Sequence, residues 1–162
     1  MIEIKKFEKE YLVSAIEIWN EIVRDGVAFP QLEELDELTG WEFFLQQSFT
    51  GVAVDTDKDE IVGLYILHPN NVGRCGHICN ASYAVKSTAR GMHIGEKLVK
   101  HCIKTAGDLG FKILQFNAVV ATNTAALGLY KKLGFTQLGI IPKGFLLKNG
   151  EYEDIIPHYI EL

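Results

Sequence analysis

The segment Tyr83-Ala84-Val85-Lys86-Ser87-Thr88-Ala89-Arg90-Gly91-Met92-His93-Ile94-Gly95 joins an apolar run to a helical period through a small-residue turn. Such a turn leaves backbone N–H groups unpaired at the positive end of a helix dipole, which suits a pyrophosphate. Arg90 would add a charge-assisted donor to the same anion. Taken alone, the pattern serves equally well as an ordinary helix start. It is neither the G-x-x-x-x-G-K-[ST] nucleotide loop nor the G-x-G-x-x-G dinucleotide fingerprint.

A second set of residues is placed where β-propensity disfavours it. Asn80 lies within the apolar run His77 to Val85, and Asn117 within Ile113 to Val120. Amides at mid-strand point to a site, because they bind a carboxylate or carbonyl, or orient a water, without titrating. Two satisfied core amides are the plainer alternative. Cys75-x-His77-x-Cys79 could place ligands on one strand face, but no fourth ligand follows at zinc spacing, so no metal is expected. Cys79 as a nucleophile would need an activating partner. The acidic run Glu33-Glu34-Leu35-Asp36-Glu37 reads as a solvated helix face rather than an amine trap. Tyr152 and Asp154 are candidates for the edge of a substrate pocket.

The elements that must hold these residues follow from periodicity. Ile2 to Phe7 alternates as a strand, and Leu12, Ile16, Trp19 and Val23 mark a helix over 8–24 that Asp25-Gly26 closes. Val27 to Phe49 fits one or two short helices, its aromatics serving as core and as a wall or lid. Strands are predicted at 51–55, 61–67, 77–85, 113–120, 137–141 and 152–160, the last two joined through Lys148-Asn149-Gly150. Helices are predicted at about 92–107, with Ile94, Leu98, Cys102, Ala106 and Leu109 inward, and at 123–134. The helix between strands 77–85 and 113–120 makes that pair parallel and right-handed.

Composition bounds the rest. The 162 residues are 48% hydrophobic and 23% charged, as in one ordinary globular domain over 1–162. A net charge of −5 without a basic stripe argues against nucleic acid as a partner. No apolar run reaches the roughly 20 residues that span a bilayer, and Met1 to Lys6 lacks the core of a secretory signal. Three cysteines without such a signal read as reduced thiols in the cytoplasm.

Val85-x-x-x-x-Arg90-Gly91-x-x-Ile94-Gly95, then a helix, a strand, and Asn123-x-x-Ala126-x-x-Leu129-Tyr130-x-x-x-Gly134-Phe135, resembles the GNAT acetyltransferases. Their turn usually runs R-G-x-G-x-G/A, and His93 occupies the middle glycine. The resemblance implies a mixed, mostly antiparallel seven-stranded sheet of the α/β (α+β) class, with helices on both faces. Its central parallel strands would splay around acetyl-CoA. It further implies that the Val85 N–H meets the pantetheine arm or thioester, and that amides from Arg90 through Gly91, His93, Ile94 and Gly95 hold the pyrophosphate. Asn123, Ala126 and Tyr130 would complete the cofactor site, with Tyr130 as general acid toward the departing thiolate; a core aromatic is the alternative.

His77 to Val85, Leu114 to Asn123, Gly139 to Phe145 and Gly150 to Asp154 look like one branch of that family. It includes fungal N-acetyltransferases of proline analogues such as azetidine-2-carboxylate, and bacterial relatives. In that branch the asparagines matching Asn80 and Asn117 lie at the substrate. Phosphinothricin-type relatives have a glutamate where this chain has Asn80, so the base is open between an ordered water and His77. The expected function is transfer of acetyl to a small, amino-acid-like amine by direct attack on the thioester, without nucleic acid or membrane, a homodimer being compatible. A protein or peptide N-acetyltransferase and a non-catalytic CoA-binding module are the alternatives.

Overall fold

The computed structural model describes residues 1–162. The elements, in chain order, are β1 (Ile2–Lys6), α1 (Leu12–Asp25), α2 (Glu37–Leu45), β2 (Phe49–Asp55), β3 (Glu60–Pro69), β4 (Ile78–Val85), α3 (Ile94–Asp108), β5 (Ile113–Val120), α4 (Thr124–Lys132), β6 (Thr136–Gln137), β7 (Ile141–Leu146) and β8 (Tyr152–Glu161). The strands form one sheet in the order β1-β2-β3-β4-β5-β8-β6, with β7 also paired to β8. All neighbours are antiparallel except β4 and β5.

The sheet has eight strands rather than the expected seven. The strand expected at 137–141 is not continuous: Gly139 takes φ 132°, breaking the run between β6 and β7, which occupy successive stretches of the same edge of β8. Leu109, expected on the inner face of α3, lies beyond the helix and is exposed. The acidic run is largely not a helix face either. Residues 33–36 form the approach to α2, and the Asp36 carboxylate caps it by accepting from the Thr39 N–H at 2.8 Å. That bond holds Asp36 below the usual carboxylate range.

Two cores lie on opposite faces of the sheet. Leu12, Ile16, Trp19 and Val23 recur at helical spacing and bring α1 down on Leu64, Ile66 and Ala84. Gly26, in the left-handed region at φ 64°, ends that helix. On the other face Ile94, Leu98, Cys102 and Ala106 seat α3 on Leu67, Cys79 and Leu114. Burying a side chain such as Leu98, which is fully covered, contributes about 1.5–3 kcal/mol.

The feature that creates a site is the failure of β4 and β5 to stay together. They pair only at Ile78↔Ile113 and Cys79↔Leu114. Along β8, Phe116 faces His158 and Val119 faces Ile156, so Asn117 and Ala118 together oppose Pro157. A bulge of this kind bends its strand and re-aims side chains. Proline is tolerated opposite it because no ladder N–H is required there.

Candidate active site

Beyond Cys79 the two strands enclose a cavity of about 320 Å³, lined by Asn80 to Tyr83 from β4 and Phe116 to Val120 from β5. Asn123, Ala126 and Tyr130 line it from the α4 side, and Ala28, Phe29 and Pro30 from the segment after α1. Phe29 fits the wall role expected of this aromatic stretch. It packs on Trp19 with ring centroids 4.4 Å apart, so the core of α1 holds the cavity wall.

Strand alternation assigns the faces. Cys79, Ala81 and Phe116 belong to the α3 side, and Ala84 to the α1 side, so Asn80 and Ser82 share the α1 face. Asn80 Oδ1 accepts from the Ala81 N–H at 2.8 Å, which leaves its NH₂ group uncommitted. Asn117 Nδ2 donates to Asn70 Oδ1 at 2.7 Å, while Asn117 Oδ1 accepts from Asn70 Nδ2 at 3.2 Å and Gln115 Nε2 at 3.0 Å. Asn117 is therefore left with a donor only, whereas Asn80 keeps both N–H donors and one of its two acceptor lone pairs. Sequence reasoning missed Asn70, which lies beyond the end of β3 and carries no periodic signal.

The backbone at the far end of β4 also faces the gap. Lys86 N–H donates to Val62 O at 2.8 Å, and alternation along the strand turns the Val85 N–H away from β3. The N–H groups of Gly91 through Glu96 have no acceptor within the chain, as the first turn of a helix requires. Gly91 takes φ 83° and His93 φ 58°. His93 thus adopts the left-handed conformation that glycine takes freely, at a cost of about 1 kcal/mol, and its side chain is exposed. A Cβ on Gly95 would meet Val85 and Leu129 only at 3.9 Å, so nothing in the chain requires glycine there. Its bareness leaves the helix end open to a ligand. Arg90 Nη2 lies 3.6 Å from Asp25 and 3.9 Å from Glu21, so its guanidinium is turned toward α1.

At the start of α4, Asn123 Oδ1 accepts from the Ala126 N–H at 3.2 Å as the helix cap. Tyr130 packs against Phe116 at 4.6 Å, Phe135 at 5.3 Å and His158 at 5.6 Å, and its hydroxyl has no partner in the chain. Burial pushes the phenol well above its ordinary value, so it stays protonated. His158 is itself buried and gives Nδ1 to the Ile156 carbonyl at 2.6 Å.

Several candidates fall away from this centre. His77 is exposed and precedes β4, at the end where β4 and β5 are still paired; only its carbonyl is engaged, by Lys112 and Ile113. Cys75 is exposed and Cys79 buried, and no group of three His, Cys, Asp or Glu side chains shares a point in space. Cys79 donates to the Ile113 carbonyl at 3.3 Å, and burial pushes its thiol up to about 12, which disfavours a thiolate nucleophile. Asp154 Oδ1 accepts from the Lys143 N–H at 3.0 Å and Tyr152 is exposed; neither lines the cavity. No helix is long and apolar enough to cross a membrane.

The sequence profile of the acetyltransferase (GNAT) family matches residues 14–135. N-acetyltransferase aca1 of Schizosaccharomyces pombe is 38% identical over 94 residues, which is 58% of this chain and 45% of that protein, so the match spans less than half of that relative's length. Peptidyl-lysine N-acetyltransferase YjaB of Salmonella typhimurium is 32% identical over 142 residues, 86% of each chain. A GCN5-related N-acetyltransferase from Kribbella flavida superposes with a TM-score of 0.91 at 31% identity, over 99% of this chain and 98% of that one. A phosphinothricin acetyltransferase from Sinorhizobium meliloti, solved with acetyl-CoA, shares the fold with a TM-score of 0.91 at 20% identity, over 99% and 88%.

Proposed function

The chain belongs to the acetyltransferase (GNAT) family, N-acetyltransferases dependent on acetyl-CoA, and on that premise we propose that it acetylates the amine of a small, amino-acid-like compound by direct attack on the thioester. The observation that carries the choice of substrate is the donor character of the two strand asparagines. Asn80 and Asn117 both offer N–H groups, Asn117 with its oxygen fully used, beside a cavity whose lining holds no Asp, Glu, Lys or Arg. Donors suit a carboxylate or carbonyl next to the reacting nitrogen.

Acetyl-CoA supplies the activated acyl group. The residues fit it: unpaired amides at the start of α3 for the pyrophosphate, the Val85 N–H for the pantetheine or thioester, and Asn123 and Ala126 flanking the arm. The half-exposed Arg90 pairs with α1 are surface pairs worth about 0–1 kcal/mol, so the guanidinium can turn to an anion at little cost. Tyr130, protonated by burial, donates to the leaving sulfur. The buried, protonated Cys79 thiol supports direct transfer rather than an acyl-enzyme.

The test is CoA release from acetyl-CoA across free amino acids, azetidine-2-carboxylate, polyamines and lysine peptides. Turnover of amino acids or the proline analogue, with little on polyamines, is expected. Turnover of peptides alone would contradict the small-substrate reading and favour the peptidyl-lysine activity named for the Salmonella relative.

A further inference from the structure

A second chamber, of about 430 Å³, adjoins the first on the α1 face and shares Pro30, Asn80 and Ser82 with it. Its polar lining is Gln31, Gln46, Gln47, Asn80, Ser82 and His68, so the imidazole is its one titratable group. His68 stands directly opposite Asn80 in the β3–β4 ladder. Opposed side chains lie on one face with Cβ atoms about 4.5–5.5 Å apart. His68 Nδ1 lies 3.0 Å from the Pro69 carbonyl, which can only accept; the neutral ring therefore carries its proton on Nδ1 and a lone pair on Nε2.

We propose that His68 Nε2 is the proton acceptor for the incoming amine. The inference rests on the amino-acid-like substrate proposed above and supplies the base that β4 lacks. Asn80 and Asn117 hold the substrate's carboxylate through N–H donors, and the lone pair beside Asn80 complements the ammonium. His68 takes one proton from the ammonium (R–NH₃⁺, or R₂NH₂⁺ for azetidine-2-carboxylate), directly or through one water, and releases it to solvent. The resulting neutral amine (R–NH₂ or R₂NH) forms the C–N bond as the C–S bond breaks. Tyr130 gives its proton to sulfur and regains one from the nitrogen, so amide, thiol and one released proton balance the reaction.

The test compares wild type with His68→Gln, using acetyl-CoA and azetidine-2-carboxylate and following CoA release against pH. Loss of a general base lowers kcat/KM by about 10²-fold at pH 7. The wild-type acid limb should disappear in the variant, whose rate instead tracks the free amine, while calorimetry finds the same affinity for CoA. Independently of turnover, imidazole ¹⁵N NMR of the wild type should show the Nδ1–H tautomer of His68 and a shift on adding azetidine-2-carboxylate. Superimposable pH profiles, the opposite tautomer, or a parallel loss of CoA affinity would each overturn the role of His68 alone. A wild type that binds CoA yet leaves the probe unacetylated would overturn the substrate reading and this inference with it.

Discussion

The proposed chemistry rests on a few side chains whose hydrogen-bonding valences are unevenly used. Asn80 uses one lone pair of its oxygen on the Ala81 N–H, and Asn117 uses both of its own on Asn70 and Gln115. Both keep N–H donors for a substrate. Tyr130 is the complementary case, a partly buried tyrosine whose hydroxyl has no partner in the chain, so removing it breaks no internal hydrogen bond. Tyr130→Phe should keep the ring packed on Phe116 and leave CoA affinity and the unfolding midpoint nearly unchanged. Turnover should fall by about 10²-fold; steady-state kinetics beside calorimetry would check this, and unchanged turnover would remove Tyr130 from the mechanism. That Asn80 and Asn117 stand out within their strands was legible in the sequence because amides at mid-strand contradict β-propensity, and both line the cavity. The proposed base was not legible. Spacing within one strand drew attention to His77, whereas His68 becomes a neighbour of Asn80 only through the register of β3 on β4, a pairing that linear spacing does not encode.

At the scale of elements, the start of α3 joins two conformational requirements to one chemical use. Gly91 and His93 both sit at positive φ, and Gly95 leaves the amides bare. His93 stands where the family's turn usually has its middle glycine, and its left-handed geometry, with an exposed side chain, shows how histidine fits that position. Gly95→Ala separates folding from binding. Alanine should stabilise α3 by up to about 1 kcal/mol, because the new methyl meets only van der Waals contacts at 3.9 Å. It should also intrude on a bound pyrophosphate and weaken CoA by at least about tenfold, or 1.4 kcal/mol. Thermal melts of the free protein and titration with CoA would give the two signs; unchanged affinity would move the phosphate site elsewhere. The parallel pair and its connecting helix were readable from apolar runs and helical spacing. The break between β6 and β7 was not, because a run from Gln137 to Ile141 looks continuous until Gly139 turns it.

Across the whole molecule, the sheet separates the two proposed binding regions as well as two cores. The α1 face carries Asn80, Ser82, His68 and the Phe29 wall, and the α3 face carries the amide-rich helix start. They meet where β4 and β5 part, and in the same stretch β5 bulges at Asn117–Ala118 against Pro157. The family resemblance implied the splay, but the bulge lay beyond sequence reasoning, since it is a mismatch between strands far apart in the chain. Acetyl-CoA is proposed to occupy this opening, with its pyrophosphate on α3. Calorimetric titration of the protein with CoA tests it most directly. Saturable one-to-one binding in the micromolar range is the expected result for a largely pre-formed site. The absence of binding at about 100 µM would contradict it.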